Sequence, residues 1–199
     1  MDWFKLEECI RNLSCHFSDV LLRVGLVEPE VPLFHVRPKR TYNQGDIQIQ
    51  PRTIDIKTPH HHQRKAWPHP VLPLPKNKHQ IDEWIWITAD GTVLEAEWSN
   101  IWLEKNGQLF TPPSTEPLLQ GIMRTAIIVA AEALSILTQE AVLKWDPVQP
   151  WVLSSCAKFI LHTKDPNMSP QMERINQFIK THQKSPWFDE AISARLKPL

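Results

Sequence analysis

This chain has little glycine: 5 in 199 residues. No glycine-rich nucleotide loop and no G-x-S-x-G elbow can be assembled from them, which removes the common phosphate-loop and α/β-hydrolase readings. Cysteine is sparser still. Cys9, Cys15 and Cys156 are too few and too scattered for a disulfide framework or a thiolate zinc site. Tyrosine occurs once, at Tyr42. Neither sign of charge is in excess, with 22 basic and 22 acidic residues, so there is no electrostatic footprint for nucleic acid or an anionic membrane. No apolar run reaches membrane-spanning length, and the first residues do not read as a secretory leader. The expected setting is a reducing cytoplasm.

Proline is plentiful instead, 18 residues. Five of them, at 59, 68, 70, 73 and 75, exclude a continuous helix across Trp67–Pro75 and favour polyproline-like backbone. The same stretch holds His60, His61 and His62, with His69 and His79 nearby. Adjacent histidines on extended chain point to opposite faces and no cysteine or carboxylate has matching spacing, so a solvated loop is expected and no metal site. Pro68–Lys76 resembles a proline-rich ligand for aromatic-lined grooves, a pattern that rigid loop structure explains equally.

Upstream, Trp3, Leu6, Ile10, Leu13 and Phe17 recur at helical steps and predict an amphipathic helix over 2–18. Residues 19–27 are β-rich. Residues 28–44, with prolines at 29, 32 and 38 and the basic cluster Arg37, Lys39 and Arg40, read as a linker with a solvated face. Residues 45–57 alternate around Pro51 and predict two short strands or one bulged edge strand.

Residues 82–125 organise the rest. Asp90-Gly91 and Asn106-Gly107 are tight-turn signals between β-rich runs, each predicting a hairpin. Trp84 and Trp86 should share one buried face of the first strand, with Ile85 and Ile87 on the other. TPPSTEP ends the sheet, and Gly121 opens a predicted helix over 122–137 with Ile128, Ala131, Leu134 and Ile136 on a broad apolar surface. Residues 151–161 predict a buried strand and turn. Ser169-Pro170 predicts a helix over 170–181, buried through Met172, Ile175, Phe178 and Ile179.

The order Asp90-Gly91, Glu95, Ser99-Asn100, Gly107, Thr111-Pro112-Pro113 and Leu119-Gln120-Gly121-Ile122-Met123-Arg124 resembles the class IV aminotransferase family of fold type IV pyridoxal-phosphate enzymes. The resemblance is strongest over 82–137 and continues more weakly to 165. It implies an α/β fold: a barrel-like, mostly antiparallel sheet with outer helices, as the large cofactor-binding domain over 41–199. Residues 1–40 would be a remnant of the family's small domain and a linker. It also implies pyridoxal 5'-phosphate as cofactor, a small-molecule substrate and a homodimer.

By that resemblance Glu95 would face the pyridine nitrogen, and the amides of Ile122 and Met123 behind Gly121 would cradle the phosphate at a helix start. Ser154 and Ser155 would add a further contact, and Ser99 and Asn100 count among the cofactor-binding residues. Lys57, in a strand-like IDIKT, is the expected Schiff-base lysine and proton carrier, 38 positions before Glu95. Lys65, 30 positions before it, is the alternative, and a chain in which neither bonds the cofactor stays open. His61 or His62 stands where the aminotransferases place a tyrosine. Gly121-Ile122-Met123-Arg124 is the lyase-like form of a motif that commonly reads Gly-Ile-Thr-Arg in transaminases. The resemblance therefore points first to an aminodeoxychorismate lyase, releasing pyruvate and 4-aminobenzoate in folate synthesis. Branched-chain or D-amino acid transamination is the alternative, and a non-catalytic truncated homologue acting as an interaction protein is a third.

Overall fold

The computed structural model describes residues 20–27, 31–38, 47–54, 81–114, 121–155, 159–164, 167 and 169–196, with the backbone alone for 20–27, 31–38 and Phe159. The predicted helix over 2–18, both candidate lysines and the histidine- and proline-rich stretch lie outside them. Backbone contacts divide the chain into two units, Met1–Thr41 and Tyr42–Leu199.

The first unit contains a hairpin, β1 (Val20–Val27) paired antiparallel with β2 (Val31–Pro38). Within the expected linker over 28–44, residues 31–38 are therefore a paired strand. Pro32 and Pro38 sit near the ends of β2, and a two-stranded ribbon has only edges, where a missing N–H is tolerated.

In the second unit, β3 (Ile49–Thr53) lies at the edge of a three-stranded sheet ordered β3-β4-β5, parallel to β4 (Glu83–Ile87), which pairs antiparallel with β5 (Val93–Ala96). Pro51 is accommodated because the strand is an edge. A five-stranded sheet ordered β10-β9-β6-β7-β8 holds β6 (Asn100–Lys105), β7 (Gln108–Thr111), β8 (Thr138–Glu140), β9 (Trp151–Ser155) and β10 (Phe159–His162). Only β7–β8 is parallel among its pairs. The class is mixed α/β as expected. Its described strands form open sheets and do not close into a barrel.

The two turn signals produce the two hairpins. Asn106 (φ 53°) and Gly107 (φ 73°) both take the left-handed conformation that a two-residue type I′ turn needs between β6 and β7. Gly91 (φ 79°) does the same work between β4 and β5. Lys144 fastens that hairpin from outside, donating to Asp90 Oδ2 (2.6 Å) and Thr92 Oγ1 (2.8 Å).

Strand alternation divides the interior. Ile85, Val93, Ala96, Ile101, Leu103, Trp151, Leu153 and Leu161 join the two sheets in one core. Trp84, Trp86, Ile54 and Leu94 bury the opposite face of the small sheet, as the pattern predicts. On the other face of the large sheet Trp102, Leu109, Val152 and Ile160 meet the helices. These are α1 (Ile122–Ala133), α2 (Pro170–His182) and α3 (Pro186–Arg195).

The apolar run suggests α1 should reach 137, but it stops four residues earlier. Ser135 turns left-handed (φ 55°), its N–H bonds the Glu132 carbonyl, and the Ile136 N–H reaches back to the Ala131 carbonyl at 2.8 Å. That is a Schellman closure with serine where glycine is usual. The freed segment becomes β8. Helix α2 begins at Pro170 as predicted and ends one residue beyond expectation, at His182.

Candidate functional site

The site is built where the chain leaves the small sheet and enters the large one. Ile85 pairs with Ala96 and Ile87 with Val93, so β5 takes three steps where β4 takes two. The extra residue is a bulge, a device that bends a strand and re-aims side chains. Glu95 lies inside it and is buried.

A tight turn follows at Ala96–Ser99. The Ala96 N–H bonds the Ser99 carbonyl (2.9 Å) and the Glu97 N–H bonds the Trp84 carbonyl (2.8 Å). Glu83, only 1% exposed at the start of β4, reaches under this turn. Its Oε1 accepts from the Trp98 N–H at 2.6 Å, and its Oε2 accepts from Ser99 Oγ at 3.0 Å. Ser99 is thus turned toward Glu83. Sequence reasoning missed Glu83, because its partners stand 15 and 16 residues away across a hairpin.

Asn100 opens β6, buried, on the helix-facing side of the sheet with Trp102. Its strand partner is Ser154 on β9. Ser154 Oγ accepts the Trp102 indole N–H at 2.9 Å, which leaves its own hydrogen free to be directed elsewhere. Ser155, the next residue, belongs by the pleat to the opposite face.

Asn100 also meets the start of α1. A Cβ placed on Gly121 would come within 2.2 Å of Asn100 Oδ1, so the glycine is there to let the amide approach. Gly121 has an extended backbone (φ −73°, ψ 140°) that any residue could adopt. Close approach, not conformational freedom, is its requirement. The following amides, of Ile122, Met123 and Arg124, have no intrahelical acceptor because they belong to the first turn. That turn carries no acidic side chain. Met123 turns its side chain into the core, while Ile122 is exposed. First-turn amides, positive helix end, a carboxamide and a serine hydroxyl form a donor set suited to a phosphate-sized anion.

Arg124 braces the same helix start from below. It is buried and donates to the Pro112 carbonyl (3.2 Å) and to Glu140 Oε1 (2.5 Å). Burial raises the Glu140 carboxyl, but the hydrogen bonds from Arg124 and Ser114 outweigh it and hold the group below its ordinary value.

Of the residues singled out from sequence, Asn100, Gly121, Ile122, Met123 and Ser154 therefore gather around one helix start. Glu95 and Ser99 flank the turn leading to it, Ser155 follows on the far face, and Lys57 lies outside the described residues. Among the described residues no group of three histidine, cysteine or carboxylate side chains is arranged to hold a metal ion. No helix there is long and apolar enough to cross a membrane.

Residues 75–160 match the family profile described as Amino-transferase class IV. The branched-chain-amino-acid aminotransferase of Escherichia coli (strain K12) is 41% identical over 66 residues, which is 33% of this chain and 21% of that protein. The chain thus spans about a fifth of the length of the curated relatives it matches. Two solved structures share the fold. A putative branched-chain amino acid aminotransferase from Thermotoga maritima aligns at TM-score 0.65 with 20% identity, covering 87% of this chain and 70% of that one. A putative 4-amino-4-deoxychorismate lyase aligns at 0.59 with 18% identity, covering 85% and 74%. Residues 75–160 carry the chain's similarity to the class IV amino-transferase family.

Proposed function

We propose that this chain holds pyridoxal 5'-phosphate and acts on a small amino-bearing substrate as a class IV enzyme. The observation that carries the reading is the meeting of Asn100 and Gly121 at the start of α1, with Ser154 paired to Asn100 across the sheet. In this reading the first-turn amides hold the phosphate, assisted by Asn100 and Ser154, while Ser155, on the far face of the sheet, takes no part in the cradle. Glu95, on its bulged strand, keeps the pyridine nitrogen protonated. Lys57 would hold the cofactor through its amine and would carry the substrate proton. When bound, the cofactor supplies the electron sink for chemistry at the substrate's α-carbon.

The specific activity proposed is that of an aminodeoxychorismate lyase in folate synthesis, forming 4-aminobenzoate and pyruvate. Met123 supports it, since it stands where transaminases commonly carry threonine and supplies no hydroxyl to the cradle. Branched-chain transamination is the second reading, favoured by the 41% identity to the E. coli enzyme. Release of pyruvate from 4-amino-4-deoxychorismate without a 2-oxo acid acceptor decides between them.

The cofactor test is direct. Purified protein titrated with pyridoxal phosphate should develop a visible absorption band, and borohydride reduction should fix the label on Lys57. A label on Lys65 would reassign the lysine. No band at all would favour the non-catalytic homologue. A homodimer is part of the proposal, and sedimentation at micromolar concentration tests it.

A further inference from the structure

We infer that Glu83 is a positioning residue for the cofactor site, holding Glu95 and Asn100 at a fixed separation by fastening the turn between them. The inference rests on the proposed reading of the site. The turn is four residues long, with Glu95 immediately before Ala96 and Asn100 immediately after Ser99. Their proposed partners lie on different edges of one rigid ring system, the ring nitrogen and the phosphate. Any slack in the turn therefore changes a distance that the ligand cannot adjust.

The fastening is unequal. The backbone supplies two bonds, Ala96 to Ser99 and Glu97 to Trp84. Two further bonds from the turn both end on the Glu83 carboxylate, one oxygen for the Trp98 amide and one for the Ser99 hydroxyl. Bonds to an ionised acceptor are the shorter and stronger kind, and the 2.6 Å Trp98 contact has that character. Glu83 is itself set on the central strand of the small sheet, paired with Ile49 of β3. The site is thereby referred to a rigid element in the small sheet, whereas α1 packs on the large one. The negative charge is what glutamine at 83 would remove: its oxygen could still accept from the Trp98 N–H and its nitrogen could donate to Ser99 Oγ, so both contacts would persist only as weaker neutral bonds.

Four forms of the whole chain test this: wild type, Glu83→Gln, the Glu83→Gln/Ser99→Ala double variant, and Ser99→Ala alone. The last keeps the buried carboxylate and removes only one of its anchors. Apo-protein amide exchange is followed at Trp98, with Ile175 on α2 as a distant reference, and pyridoxal phosphate affinity is measured by absorbance titration. Glu83→Gln should speed Trp98 exchange while leaving Ile175 unchanged, and weaken pyridoxal phosphate by about ten-fold, the lower end of what outer-shell partners cost at metal sites. Ser99→Ala should weaken it less, and the double variant should be no worse than Glu83→Gln alone. Wild-type exchange at Trp98 in Glu83→Gln overturns the inference, whatever happens to affinity. So does an equal acceleration at Ile175, which would make the role merely structural, and so does strict additivity in the double variant. If the wild type fails to bind pyridoxal phosphate, the functional reading falls. The side-chain amide resonance of Asn100 then decides: displaced in Glu83→Gln it sustains the positioning role, and unmoved it ends it.

Discussion

Replacing Gly121 by alanine sets two opposed effects against each other. The backbone at 121 suits alanine, and removing a glycine from the unfolded ensemble ordinarily stabilises by about 0.4–1 kcal/mol. Against this stands a contact. The new Cβ would lie 2.2 Å from Asn100 Oδ1 and 3.3 Å from its Cγ, where real Cβ atoms essentially never approach closer than 3.0 Å. Asn100 must withdraw by about 1 Å, and it is buried on a central strand, so overpacking of the usual 1–3 kcal/mol is expected. The clash wins by about 1–2 kcal/mol, a fall of about 2–8 °C in melting temperature for a chain of this size. Thermal denaturation of Gly121→Ala reads the sign. Adding Asn100→Ala should restore most of the stability while leaving pyridoxal phosphate binding weak, because the carboxamide is then gone. If Gly121→Ala melts at or above the wild type, the close approach of Asn100 is not what the glycine serves.

The remaining expectations concern groups around that site. Arg124→Met should cost about 1–3 kcal/mol in denaturant unfolding, since it strips Glu140 and the Pro112 carbonyl of their donor. Glu140 itself has a folded pKa below its ordinary 4.5, so its contribution is present above that value and is lost as pH falls through the folded pKa; Glu140→Gln should flatten stability in that acid window. Burial pushes the His162 imidazole below its ordinary 6.5 despite the carboxylate of Glu173 nearby. The unfolded chain then takes up protons first, and stability should fall as pH drops through 6.5 toward the folded pKa, a slope that His162→Phe should remove in melting curves from about pH 8 to about pH 5. Glu104 is raised, chiefly by burial and against the bonds it accepts from Met172 and Gln171. Its ionisation therefore costs stability as pH rises from 4.5 through the folded pKa. Glu104→Gln, which keeps an accepting oxygen, should be milder than Glu104→Ala, for which about 1–2 kcal/mol is expected as a lost helix cap.

The hairpins and the tryptophan strand could be read from the chain because each rests on local chemistry. A turn that needs positive φ at two positions selects Asn106-Gly107, and a half-buried strand announces itself every second residue. The end of α1 could not be read, because Ser135 looks like any helical serine and the apolar run continues past it. Helix α3 was missed although Ser185-Pro186 repeats the cap-and-proline signal of Ser169-Pro170. Its weaker apolar stripe, Phe188 and Ile192, gives little periodicity to follow. In the site, the motif order marked Asn100 and Gly121 separately, but their contact is tertiary. Glu83 carries no local mark at all.

Helix α2 cannot finish its own beginning. Ser169 stands at its cap position without a side-chain bond to the helix, and the first-turn amides of Gln171 and Met172 are met by Glu104 Oε2 at 2.9 and 3.1 Å. The acceptor lies 67 and 68 residues upstream in the chain. A peptide of 169–183 alone should therefore be poorly helical, and in the whole chain the helix should become protected from exchange only after β6 has joined the sheet. Closing so long a loop is slow compared with local helix growth. The sheet is expected to form first and α2 to settle onto it late, so that truncation within β6 would unfold a helix that it never touches in sequence.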